Sequence, residues 1–206
     1  MAKNSAQRRA GSYISKGRTN EDLINAAVFH EAGHVVAAVA LGIEVHYCIV
    51  EYKQRGKRSS VHGYTELILG KSETRQRALD EARAPEVLRR RAIHALAGHI
   101  AEGWANSDPQ DVERGATDDF HAAAGFAVLA MQPNPEQVGA IIAAYMNERR
   151  REAEVLLRVR VPALNAVAQH LGANLNTAVD GETLRALVQA QPLTEDAASE
   201  VTEGRA

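Results

Sequence analysis

Apolar residues recur every three to four positions along much of this chain, which is the spacing of one buried face of an α-helix. The first such segment, residues 21–41, follows Asn20, starts with two acidic residues and stops before Gly42, and both flanks are typical of helix ends. Further helices are predicted for residues 85–104, 117–130, 136–160, 163–171 and 181–188. Two runs rich in β-branched and aromatic residues, 45–52 and 60–67, predict the strands of a hairpin. We therefore expect a mainly α-helical fold with a small β-hairpin next to the first helix.

The helical pattern also sets the domain organisation. Residues 21–190 form one predicted domain, long enough for a single sizeable core. Residues 1–20 are polar and mildly basic and predict a flexible arm, while residues 191–206 are acidic and small and predict a disordered tail. Within the domain, residues 70–84 predict a loop and an exposed helix, and residues 106–114 predict a loop.

The first predicted helix contains the pattern His-Glu-x-x-His at His30, Glu31 and His34. Four residues at about 100° each bring the two histidines onto one face, where neutral imidazoles can hold one Zn²⁺ at roughly 2.0–2.1 Å. Glu31 points around the helix and can take a proton from a water molecule that the ion has acidified. The alternative is an ordinary core helix, but burying these three side chains without a partner would be costly. The motif therefore predicts a metal site.

A third ligand must come from another part of the chain, and four residues are open candidates: Glu102, Asp118, Asp119 and His121. Thr117 is a suitable N-cap, which would place both aspartates in the first turn of a helix, where carboxylates are favoured. The alternative is that the two aspartates merely cap that helix. Spacing alone does not separate the candidates.

Composition narrows the class of protein further. The net charge of −2 argues against a protein built to grip nucleic acid or an anionic membrane. Cys48 is the single cysteine, so the chain has no internal disulfide and no thiolate metal cage, and a reducing cytoplasm fits. We expect no apolar run long enough to span a bilayer and see no signal peptide.

Four segments together resemble the FtsH-type, or M41, zinc metallopeptidases. Residues 30–34, His-Glu-Ala-Gly-His, are similar to the zinc helix of that family. Gly63, Tyr64 and Thr65 match its Gly-Tyr-Thr, which also follows a strand and a charged loop. Residues 96–102 and 115–120 are similar to the family's Leu-x-Gly-Arg-x-Ala-Glu and Gly-Ala-Ser-Asn-Asp-Leu segments, in the same order; a histidine and a glycine replace the family's arginine and second acid.

The resemblance implies roles for particular residues. It makes Asp119 the third zinc ligand, and it places Glu102 where a carboxylate can orient a ligating imidazole. It also makes Gly63, Tyr64 and Thr65 part of a strand that pairs with an extended substrate backbone. The alternatives are that Glu102 is an acid at the solvated end of a helix and that the strand belongs to a plain hairpin. His94 and His99 are expected to be hydrogen-bonded core or surface histidines.

The function implied is that of a zincin-like metalloendopeptidase, with one Zn²⁺ per chain, acting on flexible or unfolded polypeptides in the cytoplasm. This sequence lacks the phosphate-binding Gly-x-x-x-x-Gly-Lys-Ser/Thr loop of the family's ATPase module, so we expect no ATP-driven unfolding by this chain. A separate ATPase partner and a homo-oligomer are compatible with the sequence; a nucleic-acid partner and a membrane span are not expected. The alternative is a zinc-stabilised interaction module with weak or no turnover, but Glu31 would be superfluous there.

Overall fold

The computed structural model describes residues 12–14, 19–55, 58–68, 83–106, 112 and 116–194. This part of the chain is mainly helical and includes a small antiparallel sheet. Its helices are α1 (Asn20–Ala40), α2 (Pro85–Ala105), α3 (Thr117–Met131), α4 (Val138–Arg158), α5 (Val161–Ala173) and α6 (Gly181–Gln189). Its strands are β1 (Ser12–Ile14), β2 (Val45–Arg55), β3 (Arg58–Leu67) and β4 (Val179–Asp180).

Helix α1 lies at the centre of the fold. It packs against α2 on one side, α5 on another and the β2–β3 hairpin on a third, and its side chains from Leu23 to Ala38 are nearly all buried. By length and composition alone α1 could cross a membrane, so the expectation that no apolar run is long enough was wrong. However, 72% of its most apolar window is buried inside the protein, which makes this weak evidence for a span.

The ends of α1 differ slightly from the prediction. Thr19, rather than Asn20, is the N-cap: its hydroxyl accepts a hydrogen bond from the Asp22 backbone, while the Asp22 side chain accepts one from the Thr19 backbone. Gly42 ends the helix as predicted, with a φ of 68° that favours glycine.

The sheet has the strand order β1-β3-β2-β4. The predicted hairpin is confirmed, and both of its strands extend further toward the turn than the sequence suggested. β1 comes from the predicted flexible arm and pairs with residues 60–62 of β3, and β4 pairs with the other edge of β2. The sequence missed β1 and β4 because two or three residues are too few to display a period of two.

One further local prediction, that Thr117 is an N-cap, was wrong. Thr117 is the first residue of α3, and its cap, Ala116, makes no side-chain hydrogen bond. Arg149 lies in a charged stretch of α4, a pattern typical of a solvated face, yet it is buried. Asp180 caps α6, accepting a hydrogen bond from the Thr183 backbone.

The predictions for residues 69–82, for most of the 106–114 loop and for the tail from residue 195 lie outside the described residues, as does most of the arm.

Candidate metal centre

The candidate site lies where α1 and α2 approach each other closely. Gly33 faces Ala97 and Ala101, and a Cβ added to Gly33 would lie only 2.6 Å from the Ala97 carbonyl oxygen. Because these residues are small, the two helix backbones pack tightly here. His30 and His34, one turn apart on the same helix, are therefore pressed against α2 and are each only 5% exposed.

Three side-chain atoms converge beside this contact. Asp119 Oδ2, from the first turn of α3, lies 3.0 Å from His30 Nε2 and 3.2 Å from His34 Nε2, and the two Nε2 atoms are 3.1 Å apart. The cluster is therefore compact, although its third member is 85 residues or more away in sequence.

The other ring nitrogens are held by groups that accept hydrogen bonds. His34 Nδ1 lies 2.9 Å from the backbone carbonyl of His94, which can only accept, so Nδ1 carries the proton. His30 Nδ1 lies 3.0 Å from Glu102 Oε2, and an ionised carboxylate also accepts. In its neutral form each imidazole therefore presents the lone pair of Nε2 to the cluster.

Two lone pairs and a carboxylate oxygen that face one another repel unless a positive charge lies between them. The three residues therefore fit a metal ion, and all of their candidate ligand atoms lie within 4.8 Å of one another. Gly98 of α2 supports the same conclusion, because a Cβ there would overlap His34 Nε2 and lie 2.8 Å from His30 Nε2. The buried group of His30, His34 and Asp119 could thus hold a metal ion.

The electrostatics of the group also favour positive charge. Burial lowers the pKa of His30, but hydrogen bonds to Asp119 and Glu102 outweigh it and raise the pKa to about 10. Burial likewise lowers the pKa of His34, and the charge of Asp119 outweighs it, so the net shift is upward. Burial raises the pKa of Asp119, yet the two histidines bring it well below its usual range. Protons and a metal cation therefore compete for the same place.

Glu31 lies beside this group on α1 but is not one of the three converging residues. Its side chain turns toward the sheet, where Thr65 Oγ1 donates a hydrogen bond of 2.6 Å to Glu31 Oε2. The residue is only 3% exposed, and burial raises the pKa of its carboxyl group. Gly63, two residues before Thr65 on the same face of β3, leaves the space that the Glu31 carboxylate fills.

The remaining predicted residues fall into two groups. Asp118 and His121 are exposed and lie outside the cluster, whereas Glu102 is fully buried against His30, not at a solvated helix end. The ring of Tyr64 packs 5.8 Å from that of Tyr47. Strand alternation places it on the opposite face of β3 from the site.

Sequence reasoning missed three features of this centre. It did not find the His94 carbonyl, because any residue offers one and only tertiary packing brings it to His34. It did not find the contact between Thr65 and Glu31, although the period of two places Thr65 and Gly63 on one face. His99 was expected to be hydrogen-bonded, but it is buried against Phe120 and neither ring nitrogen has a partner in the part of the chain that the structure describes. Burial also lowers the pKa of His99 to about 3, so this ring is neutral.

No protein-family model matches this chain, and no curated protein matches it either.

Proposed function

We propose that this protein is a zinc-dependent peptidase similar to the M41 metallopeptidases, with His30, His34 and Asp119 as zinc ligands and Glu31 as general base. The main support for the proposal is that the two histidines and the glutamate of the α1 motif lie in different surroundings. Two buried imidazoles direct lone pairs at Asp119, while the carboxylate between them in sequence is held apart from the cluster by Thr65. Three protein ligands with a further position for water or substrate are typical of catalytic zinc.

Zn²⁺ bound by these residues would supply Lewis-acid chemistry, polarising the scissile carbonyl and acidifying water. The chain's own residues would move the protons. Glu31 would accept a proton from the attacking water and deliver it to the departing amine, and its raised pKa suits both steps. Glu102 would keep His30 in the tautomer that ligates. Two imidazoles and one carboxylate also suit Fe²⁺, but a glutamate base beside the site favours hydrolysis.

The proposed substrates are flexible or unfolded polypeptides. The edge of β3 that faces away from β2 is occupied by β1 opposite residues 60–62, and among the described residues no strand pairs with this edge from Gly63 onward, so a substrate strand could pair there. A folded protein must open locally to present an extended backbone, which costs up to its global stability of about 5–15 kcal/mol. Tyr64 and Thr65 belong to this proposed substrate strand as well.

The test is Glu31→Gln, measured by cleavage of a reduced, denatured polypeptide and by metal content. Because the substitution removes only the proton acceptor, we expect zinc and fold to be retained while cleavage falls by about 10²–10⁴-fold. A stable folded domain should remain uncut by the wild-type protein, with or without ATP. Loss of metal from Glu31→Gln would mean that Glu31 is a ligand. A zinc-loaded wild-type protein that cleaves nothing would favour the zinc-stabilised interaction module.

A further inference from the structure

The short hydrogen bond between Thr65 of β3 and Glu31 of α1 connects this helix to the sheet. Thr65 is opposite Cys48 in the β2–β3 ladder, so its backbone is held by a strand partner. Its branched side chain has few rotamers, whereas glutamate has three rotatable bonds. The Thr65 hydroxyl therefore has a well-defined position, and its hydrogen bond restrains the more flexible Glu31 carboxylate.

Two acceptors lie within reach of the single Thr65 hydroxyl proton. Glu31 Oε2 is 2.6 Å from Oγ1, while Cys48 Sγ is 3.4 Å away. Hydrogen bonds to a carboxylate are shorter and roughly twice as strong as those between neutral groups, and a thiol sulfur is a weak acceptor. The proton therefore goes to Glu31, and this fixes which carboxylate oxygen is engaged.

The second carboxylate oxygen of Glu31 lies against Gly63. A Cβ at that position would overlap both Oε1 and Cγ of Glu31, so any other residue would displace the carboxylate. Among the described residues no hydrogen bond to Oε1 is present. The strand thus holds one oxygen by a hydrogen bond and leaves room for the other.

We propose that Thr65 is a positioning residue that holds Glu31 Oε2, so that Oε1 is the oxygen that accepts the proton during peptide hydrolysis. This inference rests on the proposed function and gives Thr65 and Gly63 a role besides pairing with substrate. It also predicts that the hydroxyl, not the bulk of residue 65, is what matters.

The experiment compares Thr65→Val, which keeps the shape but removes the hydroxyl, with Thr65→Ser, which keeps the hydroxyl. Since a misplacement of about 1 Å can cost about 10²-fold in rate, we expect Thr65→Val to lower kcat by about 10–100-fold with KM nearly unchanged. Thr65→Ser should recover most of that loss, and zinc content should stay at one per chain in both. If Thr65→Val does not fold, Thr65→Ala removes the same hydroxyl.

A second measurement does not depend on turnover. The ¹³C NMR signal of the Glu31 carboxyl carbon, identified by its absence in Glu31→Gln, should shift in Thr65→Val and not in Thr65→Ser. Ser60→Ala, which removes a hydroxyl from the opposite face of β3, is the matched control and should change neither signal nor rate. An active wild-type protein whose kcat survives Thr65→Val, or an unshifted signal, would overturn the role of Thr65. An inactive wild-type protein with zinc in place would instead overturn the proposed function.

Discussion

Two clusters of charged side chains in the described part of the chain each include buried members, and they are built differently. One is the candidate metal centre between α1, α2 and α3. The other lies between α2 and α4, where Arg149 pairs with Glu152 at 2.8 Å and Glu148 at 2.5 Å, and where Arg89 reaches Glu152 at 2.5 Å. The Arg149 guanidinium also lies 5.0 Å from the centre of the Tyr145 ring.

The two clusters differ in how their charges are balanced. In the α2–α4 cluster two guanidinium groups face two carboxylates, so the chain supplies its own counter-charges. In the metal centre the three carboxylates of Glu31, Glu102 and Asp119 surround two imidazoles that are neutral when they ligate. The α2–α4 cluster therefore balances its own charge, whereas the group around His30 and His34 needs added positive charge, which protons on the two imidazoles or a metal ion can supply.

Of the changes that test this comparison, removal of the Asp119 carboxylate should have the largest effect on zinc content and cleavage. Asp119→Ala deletes the ligand that closes the group, so we expect purified protein to lose most of its zinc and all measurable cleavage. Asp118→Ala is the matched control, since Asp118 is exposed and outside the cluster. Elemental analysis of both variants decides the matter. If Asp118→Ala empties the site and Asp119→Ala does not, the assignment of the third ligand is off by one residue.

The pH dependence of zinc binding should be the next largest effect. The pKa of His30 is raised to about 10 and that of His34 is also raised in the metal-free protein, so zinc must displace protons at neutral pH. Apparent affinity should therefore rise with pH, by about tenfold per pH unit for each displaced proton. Competition with a chelator between about pH 6 and pH 8 measures this. An affinity that stays flat over this range would show that both rings are already neutral without metal.

The same pKa shifts determine how the free energy of unfolding of the metal-free protein changes with pH. Because the folded pKa of His30 lies above its usual value of 6.5, protonation stabilises the fold fully below that pH. This contribution is lost as pH rises toward about 10. The depressed pKa of Asp119 acts in the opposite sense, and its contribution is lost only in acid, below 3.8.

Breaking the self-balanced cluster should affect stability alone. Glu152 is 26% exposed and its loss leaves Arg149 with the exposed Glu148, so Glu152→Gln should cost about 1–3 kcal/mol, between the values for surface and buried pairs. Zinc content should not change. Glu154→Gln, which disrupts the exposed pair with Arg158, should cost less than about 1 kcal/mol. Urea unfolding of both variants makes the comparison, and a zinc-depleted Glu152→Gln protein would contradict the separation of the two clusters.

What the sequence predicts well is local. The motif at His30 and His34, the hairpin and the placement of Asp119 in a first helical turn all follow from periods of 3.6 or 2 and from end signals. The contacts that the sequence does not reveal are long-range. The tie between Thr65 and Glu31 spans 34 residues and depends on how α1 crosses the sheet.

Charge patterns mislead for a related reason. Arg149 stands in a run of charged residues that predicts a solvated face. One turn of that face nevertheless lies against α2, where Arg149 pairs with Glu152 and Glu152 pairs with Arg89. A sequence lists how many charges a segment has, but only packing decides which of them meet partners and which meet water.

Asp119 stands on the least anchored of the helices that build the site. Helix α3 has only two buried side chains, Ala123 and Ala127, while Val128, Leu129 and Met131 near its end are largely exposed. Besides these two methyl groups, only half-buried side chains such as Phe120 and Phe126 pack α3 against the core, so local opening of α3 in the metal-free protein needs less free energy than opening of α1. An ion bound by Asp119 adds RT ln(1 + [Zn²⁺]/Kd) to the cost of that opening. Zinc would therefore slow amide hydrogen exchange in α3 far more than in α1.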